Sequence, residues 1–359
     1  MILVFWIGAL WLVYVYLGYP LMLAMLVPFH RVKPKVRTGF SPKVSILIAA
    51  RNEEKDIGWK VAETLGWDYP ANCLEVLVAS DASEDGTDEI VAAFRDPRVT
   101  LIRLERGGKQ RALNRLTPLA TGELLFFTDA NAHIAPGCLR HVVCHFADSR
   151  VGCVTGDSWP LRDIQNAAVA GGALAYSHYQ SWIKRLENCI GSVLVCDGAI
   201  FCIRRELYPP LSPELANDLE IPMRIGHAGY WVHHEPQAIV WERETNSRSQ
   251  EFSRRRRVCA QGMLGMWRLR HTLLGLRGWQ FVSQKFLRWL SVIPLAMLLI
   301  SAFSLARGST IFQVLLWLQV AVYGLALAGM WLSGAEKGIG RLASVPFYAV
   351  LGSIGALVG

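Results

Sequence analysis

Three apolar stretches in the first half of the sequence end in charged or amide side chains that could bind a ligand or a metal ion. These ends are Arg51-Asn52-Glu53, Asp81, and Asp129-Ala130-Asn131. If the stretches are parallel strands, their carboxyl ends lie at one edge of a sheet, so residues distant in sequence meet in one crevice. Carboxylate and amide oxygens at such an edge can bind the hydroxyl groups of a ribose, the edge of a base, or a hard divalent cation.

Two common phosphate-binding motifs are absent from the sequence, and their absence narrows the chemistry. No GxGxxG follows the first apolar stretch, which argues against a dinucleotide cofactor, and no GxxxxGK[ST] occurs, which argues against a P-loop. The remaining interpretation is a crevice that binds the base and ribose of a nucleotide through carboxylates and places a metal ion on its diphosphate.

The elements that must position these residues alternate between strand and helix. Strands are predicted over residues 44–50, 74–80, 99–104 and 123–128, with helices beginning at Asn52, near Thr87 and at Lys109. Strands separated by helices predict an α/β fold, with a mostly parallel sheet that carries helices on both faces.

Seven motifs follow one another in an order shared with a known family. They are ARNEE, ASDASEDGTDE, GGKQRALN, FFTDAN, DGAIFCIRRELY, NDLEIPMRI and EFSRRRR. In these motifs the sequence resembles the inverting family 2 glycosyltransferases, especially the membrane-integrated group that includes hyaluronan, chitin and cellulose synthases. The resemblance implies a GT-A-type nucleotide-binding domain that transfers a sugar from a nucleoside diphosphate sugar, for which UDP is the family's commonest carrier.

The resemblance also implies roles for the residues at the strand ends. Glu53 and Asp81 match contacts to the ribose and base, and Lys109 matches a contact to the diphosphate. Asp129 matches the first acid of the family's metal motif, and Asn131 stands where a second Asp is common, so both are expected to hold Mg²⁺ or Mn²⁺. The full set expected to bind the nucleotide sugar is Arg51, Glu53, Asp81, Lys109, Asp129, Arg254 and Arg255.

The later motifs imply the catalytic group. Asp218 matches the family's general base, which takes the proton of an acceptor hydroxyl as that oxygen attacks the anomeric carbon opposite the diphosphate. One displacement inverts the anomeric centre and gives a β-linkage from an α-linked donor. Glu220 is the less favoured alternative base. Arg254 and Arg255 stand at the Arg and Trp of the family's QxxRW motif, and the absence of that Trp leaves open whether sugars are added once or repeatedly.

Plainer interpretations of the same side chains stay open. Glu53 can favour a helix N-terminus, Asp81 can be a turn residue, and Lys109 can be a solvated charge. The arginine run over residues 254–257 can be a lipid-facing stripe of an interfacial helix. A helix predicted over residues 171–188 carries aromatic side chains that lie either near the acceptor or against the membrane spans.

Apolar segments at both ends predict a multi-pass protein of the inner (plasma) membrane. Residues 1–29 are predicted to form a retained transmembrane helix, and the basic residues that follow place the next segment, the catalytic domain, in the cytoplasm. Residues 41–245 are expected to form the GT-A domain, 246–280 interfacial amphipathic helices with the arginine motif, and 284–359 the C-terminal transmembrane helices. Spans are predicted over 286–306, over 311–332 and from 341 onward, the last one truncated; a hydrophobic hairpin lying in the membrane is the alternative for the last two.

Composition and charge bound the partners. A net charge of +8 suits contact with anionic lipid and phosphates, and nucleic acid is not expected because no binding motif accompanies the charge. The expected partners are a nucleoside diphosphate sugar, a polysaccharide or lipid-linked acceptor and membrane lipids, with a second copy of the chain or a secretion partner allowed. The alternative function is a catalytically silent sugar-nucleotide-binding subunit of a polysaccharide secretion complex, which Asn131 and Arg255 favour.

Overall fold

A mixed sheet forms the centre of the fold. The structure is a computed structural model that describes residues 1–29, 33–161, 167–242 and 248–331, and in this part of the chain eight strands form one sheet. The strands are β1 (Val44–Ala50), β2 (Leu74–Asp81), β3 (Val99–Leu104), β4 (Leu124–Asp129), β5 (Ala132–Ile134), β6 (Val151–Pro160), β7 (Phe201–Arg204) and β8 (Trp231–Glu242). Their order across the sheet is β3-β2-β1-β4-β7-β6-β8-β5.

The first four strands are parallel neighbours, and β1 shows why this half of the sheet is apolar. β1 pairs with β2 on one side and with β4 on the other. Ile46 and Ile48 face one core cluster, whereas Leu47 faces the other. Since successive side chains of a strand point to opposite faces, a strand covered on both faces must be apolar throughout. The predicted α/β fold of the GT-A type is confirmed.

The second half of the sheet is antiparallel in part and was not predicted. β7 runs antiparallel to both β4 and β6, and β5 runs antiparallel to β8, while β6 and β8 are parallel. These strands lie beyond residue 128, where the predicted alternation of strand and helix ended.

Helices cover both faces of the sheet and extend beyond it. They are α1 (Ile2–Val13), α2 (Tyr19–Leu26), α3 (Ile57–Leu65), α4 (Thr87–Ala92), α5 (Lys109–Leu116), α6 (Cys138–Val143), α7 (Ala167–Ile190), α8 (Asn217–His227), α9 (Arg248–Arg268), α10 (Leu276–Phe281), α11 (Leu287–Trp289), α12 (Val292–Leu305) and α13 (Thr310–Trp331). A π-helical turn, Tyr14–Gly18, joins α1 to α2, and a second one, Val282–Phe286, joins α10 to α11.

The helix predicted to begin at Asn52 begins later, and this part of the prediction is wrong. Asn52 has a φ of 54°, which is the left-handed region, and α3 begins only at Ile57. A residue in that region cannot continue a right-handed helix, so the residues after β1 form a loop.

Within residues 1–29 and 276–331, the structure contains fewer candidate spans than predicted. Among the described residues, Ile2–Phe29 is one helix long and apolar enough to cross a membrane. Leu276–Trp289 and Val292–Leu305 reach this length only together and bend by 55° between them, inside the span predicted over 286–306. Thr310–Leu325 is a shorter apolar helix, and the span predicted from residue 341 lies outside the described residues.

The helices α1, α12 and α13 pack on one another and present an apolar outer surface. The rings of Phe5 and Phe312 lie 5.2 Å apart, and Gly8 allows close approach because a Cβ there would lie 3.0 Å from the Pro294 carbonyl oxygen. Apolar side chains that are more than half exposed on these helices include Leu3, Leu10, Phe303, Ile311 and Trp317. A contiguous apolar surface of this kind is typical of contact with lipid or another apolar partner.

Helix α7 lies between the sheet and the N-terminal helices. On one side, Ser181 donates a hydrogen bond to a carboxylate of β6. On the other side, Tyr19 Oη donates to Glu187 Oε1 (2.5 Å), and Tyr179 Oη donates to the Tyr16 carbonyl oxygen (3.1 Å). The aromatic residues of this helix therefore include one that packs directly on the N-terminal apolar segment.

Candidate active site

Two loops at the carboxyl edge of the sheet are tied together by side-chain hydrogen bonds. In the loop after β1, the Asn52 side chain accepts a hydrogen bond from the Glu84 N–H (2.9 Å) in the loop after β2. The Glu54 N–H donates to Asp85 Oδ2 (3.1 Å), and Glu54 Oε2 accepts the Gly86 N–H (3.1 Å). These bonds fix the course of both loops, and with them the first two polar strand ends that the sequence indicated.

Glu53 is a half-buried carboxylate in the first loop. Its backbone N–H donates to Thr87 Oγ1 (2.8 Å). Burial raises the pKa of Glu53 to about 7, and the carboxylates of Asp56, Asp129 and Asp85 act in the same direction. Negative charge is therefore concentrated where the ends of β1 and β4 meet.

Asp81 holds a glycine turn at the end of β2. Its two carboxylate oxygens accept the backbone N–H groups of Gly107 (2.7 Å) and Gly108 (2.9 Å). Gly108 has a φ of 85°, and α5 begins at the next residue, Lys109. Asp81 thus fixes the start of α5. Its oxygens keep further acceptor capacity, and the predicted contact to a ribose or base stays a prediction.

Lys109 is the cation that connects the carboxylates of the cluster. Its Nζ lies 2.5 Å from Asp129 Oδ1, and each of the two side chains is about one third exposed (32% and 33%). Burial lowers the pKa of Lys109, but Asp129, Asp218 and Glu242 outweigh it, so the pKa is raised overall. Lys109 is therefore a positive charge held at the end of β4, where the diphosphate contact was predicted.

Glu220, the alternative base, has a structural role. It is fully buried on α8 and accepts hydrogen bonds from the N–H and Oγ of Ser212 (both 2.9 Å). Arg224, one turn later, donates to the same carboxylate (2.8 Å). These bonds fasten the preceding loop to α8, so the Glu220 carboxylate is fully engaged within the fold.

Asp218, in the first turn of the same helix, directs its carboxylate toward the cluster. A Cβ added at Gly198 would lie only 3.3 Å from Asp218 Oδ2. Burial raises the pKa of Asp218; Lys109 opposes the increase, and Asp197 and Asp129 add to it. A carboxylate with a raised pKa that faces a fixed cation can accept a proton during a reaction.

Two further carboxylates and a lysine extend the cluster, and no role was predicted for them. Glu242, the last residue of β8, accepts a hydrogen bond from Ser158 Oγ (2.5 Å), and Asp197 accepts the Ser158 N–H (2.9 Å). Lys184 Nζ lies 3.4 Å from Asp197 Oδ2. Burial raises the pKa of Glu242, and Asp197 acts in the same direction. Asp197 belongs to the DGAIF motif, so the sequence contained a signal for its place in the cluster, whereas no motif marks Glu242.

The arginines of the predicted site differ in their placement. Arg254 is exposed on α9, yet its charge lowers the pKa of Glu242, so it lies close enough to influence the cluster. Arg51 follows β1 directly and is exposed at the carboxyl edge. The side chain of Arg255 lies outside the described residues.

A buried lysine supports the segment that carries Asn131. Lys60 on α3 is fully buried, and its Nζ donates to the Ala132 carbonyl oxygen (2.6 Å) and lies 3.3 Å from Glu63 Oε2. Glu63 in turn accepts the Ile134 N–H (3.2 Å). Both ends of β5 are thus fastened to α3, which fixes the turn between Asp129 and β5. The apolar helix pattern gave no sign of this role for Lys60.

The donors at the end of β4 suit a divalent cation. Asp129 supplies a carboxylate and Asn131 an amide oxygen, which are the hard donors that Mg²⁺ and Mn²⁺ prefer. Glu53 and Asp218 both have a raised pKa to which Asp129 contributes, so a cation would relieve repulsion within the cluster. The residues present therefore fit the predicted metal.

A different cluster also has metal-ligand chemistry. Within the described ranges, the donor atoms of His145, His233 and Glu235 all lie within 4.8 Å of one another. His145 Nε2 and Glu235 Oε2 are 2.6 Å apart and share a hydrogen bond. This cluster lies near the amino end of β8, whereas Glu242 marks its carboxyl end, so it is separate from the predicted site.

Comparisons with known proteins identify the class of this domain. The family described as glycosyltransferase like family 2 matches residues 42–260, which contain the whole sheet. Beta-monoglucosyldiacylglycerol synthase of Trichormus variabilis is 30% identical over 209 residues, covering 55% of this chain and 44% of the synthase. Poly-beta-1,6-N-acetyl-D-glucosamine synthase of Staphylococcus aureus is 22% identical over 219 residues, covering 58% of this chain and 52% of that enzyme.

A solved structure shares the fold along nearly the whole chain. The mannosyltransferase PcManGT from Pyrobaculum calidifontis, in complex with GDP-Man and Mn²⁺, aligns with a TM-score of 0.71 over 99% of both chains at 21% identity. The chain spans about half the length of the curated relatives it matches. The family match covers more than half of the chain, and the chain belongs to the glycosyltransferase like family 2.

Proposed function

We propose that the chain transfers a sugar from a nucleoside diphosphate sugar, with UDP as the first carrier to test, to a polysaccharide or lipid-linked hydroxyl at the cytoplasmic face of a membrane. The observation that carries the proposal is the place of Asp218, whose Oδ2 lies against Gly198, next to Asp197 of the cluster, and whose pKa responds to the charges of Lys109 and Asp129. The family of the domain and the carboxylates around this pair support the same reaction.

Asp218 is the general base of the proposed reaction. The acceptor hydroxyl gives its proton to the Asp218 carboxylate while its oxygen forms a bond to the anomeric carbon. The bond from that carbon to the diphosphate breaks on the opposite face, and the diphosphate leaves with the electron pair. Lys109 and Arg254 balance the charge of the departing group, and Glu53 and Asp81 bind the ribose and base. The anomeric centre is inverted.

Asp129 and Asn131 would hold a divalent cation at the diphosphate. When bound, Mg²⁺ or Mn²⁺ would stabilise the negative charge of the leaving group. The donor set at the end of β4 and the Mn²⁺ in the related mannosyltransferase structure support this assignment. The chain's own contribution is to hold Asp129 through Lys109 and to hold the following turn through Lys60.

The proposed location is the inner membrane. The helix Ile2–Phe29 and the apolar outer surface of α1, α12 and α13 support membrane contact. Residues 1–29 and 284–359 would be membrane segments, residues 41–245 the cytoplasmic GT-A domain, and residues 246–280 an interfacial segment. The names of the relatives include a lipid product and a polysaccharide product, so both acceptor classes are tested.

A donor screen tests the proposed reaction. The full chain, reconstituted in lipid vesicles with Mn²⁺ or Mg²⁺, is incubated with UDP- and GDP-linked sugars, and released nucleoside diphosphate and product size are measured. Asp218→Asn is expected to reduce turnover by about 10²-fold or more, because the proton acceptor is lost. Its affinity for UDP or GDP is expected to stay within a few-fold of the parent chain.

The matched control is Glu214→Gln, a carboxylate-to-amide change four residues before Asp218. Glu214 is about half exposed and pairs with Arg268 on the surface. It should keep both turnover and nucleotide binding. Nucleotide binding without release from any donor would refute the enzymatic proposal and favour a silent binding subunit. Full turnover in Asp218→Asn would refute the role of Asp218.

A further inference from the structure

Two cations lie where the catalytic domain meets the apolar helices, and the proposed reaction does not use them. Lys285 belongs to the π-helical turn between α10 and α11, and Arg288 belongs to α11. The Nε and Nη2 atoms of Arg288 are buried and have no hydrogen-bond partner among the described residues. A buried guanidinium with unpaired N–H groups is unfavourable unless an anion reaches it.

Tyrosines surround Arg288, and Tyr176 and Tyr179 form hydrogen-bond interactions with its side chain, whereas Nε and Nη2 keep no hydrogen-bond partner among the described residues. Its Cζ lies 5.4 Å from the ring centroid of Tyr179, 5.9 Å from that of Tyr16 and 6.0 Å from that of Tyr176. Cation–π contacts of this length stabilise the charge and hold the guanidinium in place. The hydrogen-bonding capacity at Nε and Nη2 remains available for a ligand with several acceptor oxygens.

The nearby carboxylate does not neutralise the two cations. Glu187 is fully buried on α7 and accepts a hydrogen bond from Tyr19 Oη. Burial raises the pKa of Glu187 to about 7, although Lys285 and Arg288 act in the opposite direction. Even a fully ionised Glu187 places one negative charge beside two cations, so the site keeps an excess of positive charge.

Aromatic hydrogen bonds connect this site to the N-terminal apolar helix. Trp11 Nε1 donates to the Leu287 carbonyl oxygen (3.2 Å), and Trp279 Nε1 donates to Tyr14 Oη (2.9 Å). Tyr14 Oη also lies 2.7 Å from Ser283 Oγ. These bonds fasten the segment that carries Lys285 and Arg288 to the N-terminal helix that is proposed to cross the membrane.

The site is electrostatically connected to the proposed base. The charge of Lys285 lowers the pKa of Asp218. Leu219, beside Asp218, packs in one apolar cluster with Phe281 and Trp289, which flank Lys285 and Arg288 in sequence. Lys285 and Arg288 are three residues apart on helical backbone and therefore lie on neighbouring positions of one face. The order Asp218, Lys285, Arg288 leads from the catalytic cluster toward the apolar helices.

We infer that Lys285 and Arg288 bind the phosphate of a lipid acceptor, and this inference rests on the proposed function. Arginine can bind phosphate oxygens through two parallel N–H bonds, and lysine adds a point charge. The acceptor carries this phosphate between its hydrocarbon and its hydroxyl group. The hydroxyl faces Asp218, gives it a proton and forms the bond to the anomeric carbon, as described above. The acceptor class is an anionic lipid and not a neutral diacylglycerol.

Fractionated lipids test the acceptor class. Membrane lipids of the source organism are separated by anion exchange into a neutral and an anionic fraction, and each is added to phosphatidylcholine vesicles that contain the full chain. Transfer of labelled sugar is expected with the anionic fraction and not with the neutral one. Glycerol 3-phosphate in solution is a third arm, and it distinguishes a free phosphate from a lipid-bound one.

Variants test the two cations. Lys285→Met and Arg288→Met keep most of the side-chain volume and remove the charge, and each is expected to raise the KM for the lipid acceptor about tenfold or more. Thermal unfolding and the affinity for UDP or GDP, measured without acceptor, show whether each variant is folded. Arg288→Lys should recover part of the affinity. Arg307→Met, at the exposed turn between α12 and α13, is the control and should leave the KM unchanged.

The outcomes separate this inference from the proposed function. When the parent chain releases nucleoside diphosphate to water, the proposed function stands. In that case, either transfer of sugar to the neutral lipid fraction or an unchanged acceptor KM in both Met variants would overturn the inference alone. Equal transfer to glycerol 3-phosphate would overturn the lipid source of the phosphate. No release from any donor would overturn the proposed function, and the inference with it.

Discussion

Replacing Gly108 by Ala separates the positioning of Lys109 from the stability of the fold. Gly108 has a φ of 85° and a ψ of 168°, a region that only glycine adopts readily. An added Cβ would meet no heavy atom within 4 Å, so the change acts through the backbone and not through a clash. The backbone strain in the folded chain costs about 1–3 kcal/mol. Ala also makes the unfolded chain stiffer, which offsets about 0.4–1 kcal/mol, so the free energy of unfolding should fall by about 1–2 kcal/mol in total.

The strain falls on the turn that starts α5. If the turn relaxes, the N–H groups of Gly107 and residue 108 leave Asp81, and Lys109 moves away from Asp129. Recovering the original arrangement then requires the same free energy of about 1–2 kcal/mol, so kcat/KM for the donor should fall about 5- to 30-fold. The assay is nucleoside diphosphate release against donor concentration, paired with thermal unfolding of the same preparation.

Gly39→Ala is the matched control. Gly39 has a φ of 81°, and an added Cβ there also meets nothing within 4 Å, but the residue precedes β1 and contacts no part of the cluster. Both variants should lower the melting temperature by a similar amount, about 2–4 °C for each kcal/mol. Only Gly108→Ala should lose activity. Equal loss of stability with activity within twofold of the parent in both variants would refute the role of the turn.

Three further predictions follow from the buried charges. Lys60→Met should destabilise the chain by about 3 kcal/mol, because it leaves Glu63 without its buried partner and removes the bond to the Ala132 carbonyl oxygen. Thermal unfolding measures this loss of stability, and weaker Mn²⁺ binding should accompany it. The acid limb of kcat/KM should have an apparent pKa above the ordinary range of an aspartate, because burial raises the pKa of Asp218 and the base must be ionised; a flat profile down to pH 4 would contradict this. Glu53 has a pKa raised from 4.5 to about 7, so the folded chain binds the proton more tightly than the unfolded chain. The free energy of unfolding should therefore decrease as pH rises from 4.5 to 7, and Glu53→Gln should make the melting temperature less dependent on pH in that window.

The sequence was sufficient to predict the half of the sheet that is parallel. Its strands β1, β2 and β4 are buried on both faces and are therefore mostly apolar, and a polar residue marks the carboxyl end of each. For this reason Glu53, Asp81 and Asp129 could be placed at one edge from sequence alone. β8 lacks this property, because its residues alternate in burial and register shifts interrupt its pairing with β6; β7 is mostly apolar and buried but only 4 residues long.

The residues that were missed depend on contacts distant in sequence. Glu242 reaches the cluster only because β8 pairs with β6, which brings it opposite Pro160 and beside Ser158. Lys60 follows the helical pattern of α3, where a lysine would ordinarily be exposed, and its burial depends on β5 lying against that helix. A local pattern predicts which face of an element is apolar, but not which polar group another element supplies.

Helix α7 gives a physical reason why the orientation of the catalytic domain on the apolar helices is fixed. Toward the sheet, Lys184 lies 3.3 Å from Asp157 and 3.4 Å from Asp197, which is part of the catalytic cluster. One helical turn further along, Glu187 accepts the hydrogen bond of Tyr19 from the N-terminal apolar segment. Because a buried polar group is unfavourable without its partner, sliding the domain against these helices would expose or orphan charges on both sides of α7. In the proposed reaction, α7 thereby sets the distance between Asp218 and the apolar helices, and a lipid acceptor must fit that distance to react.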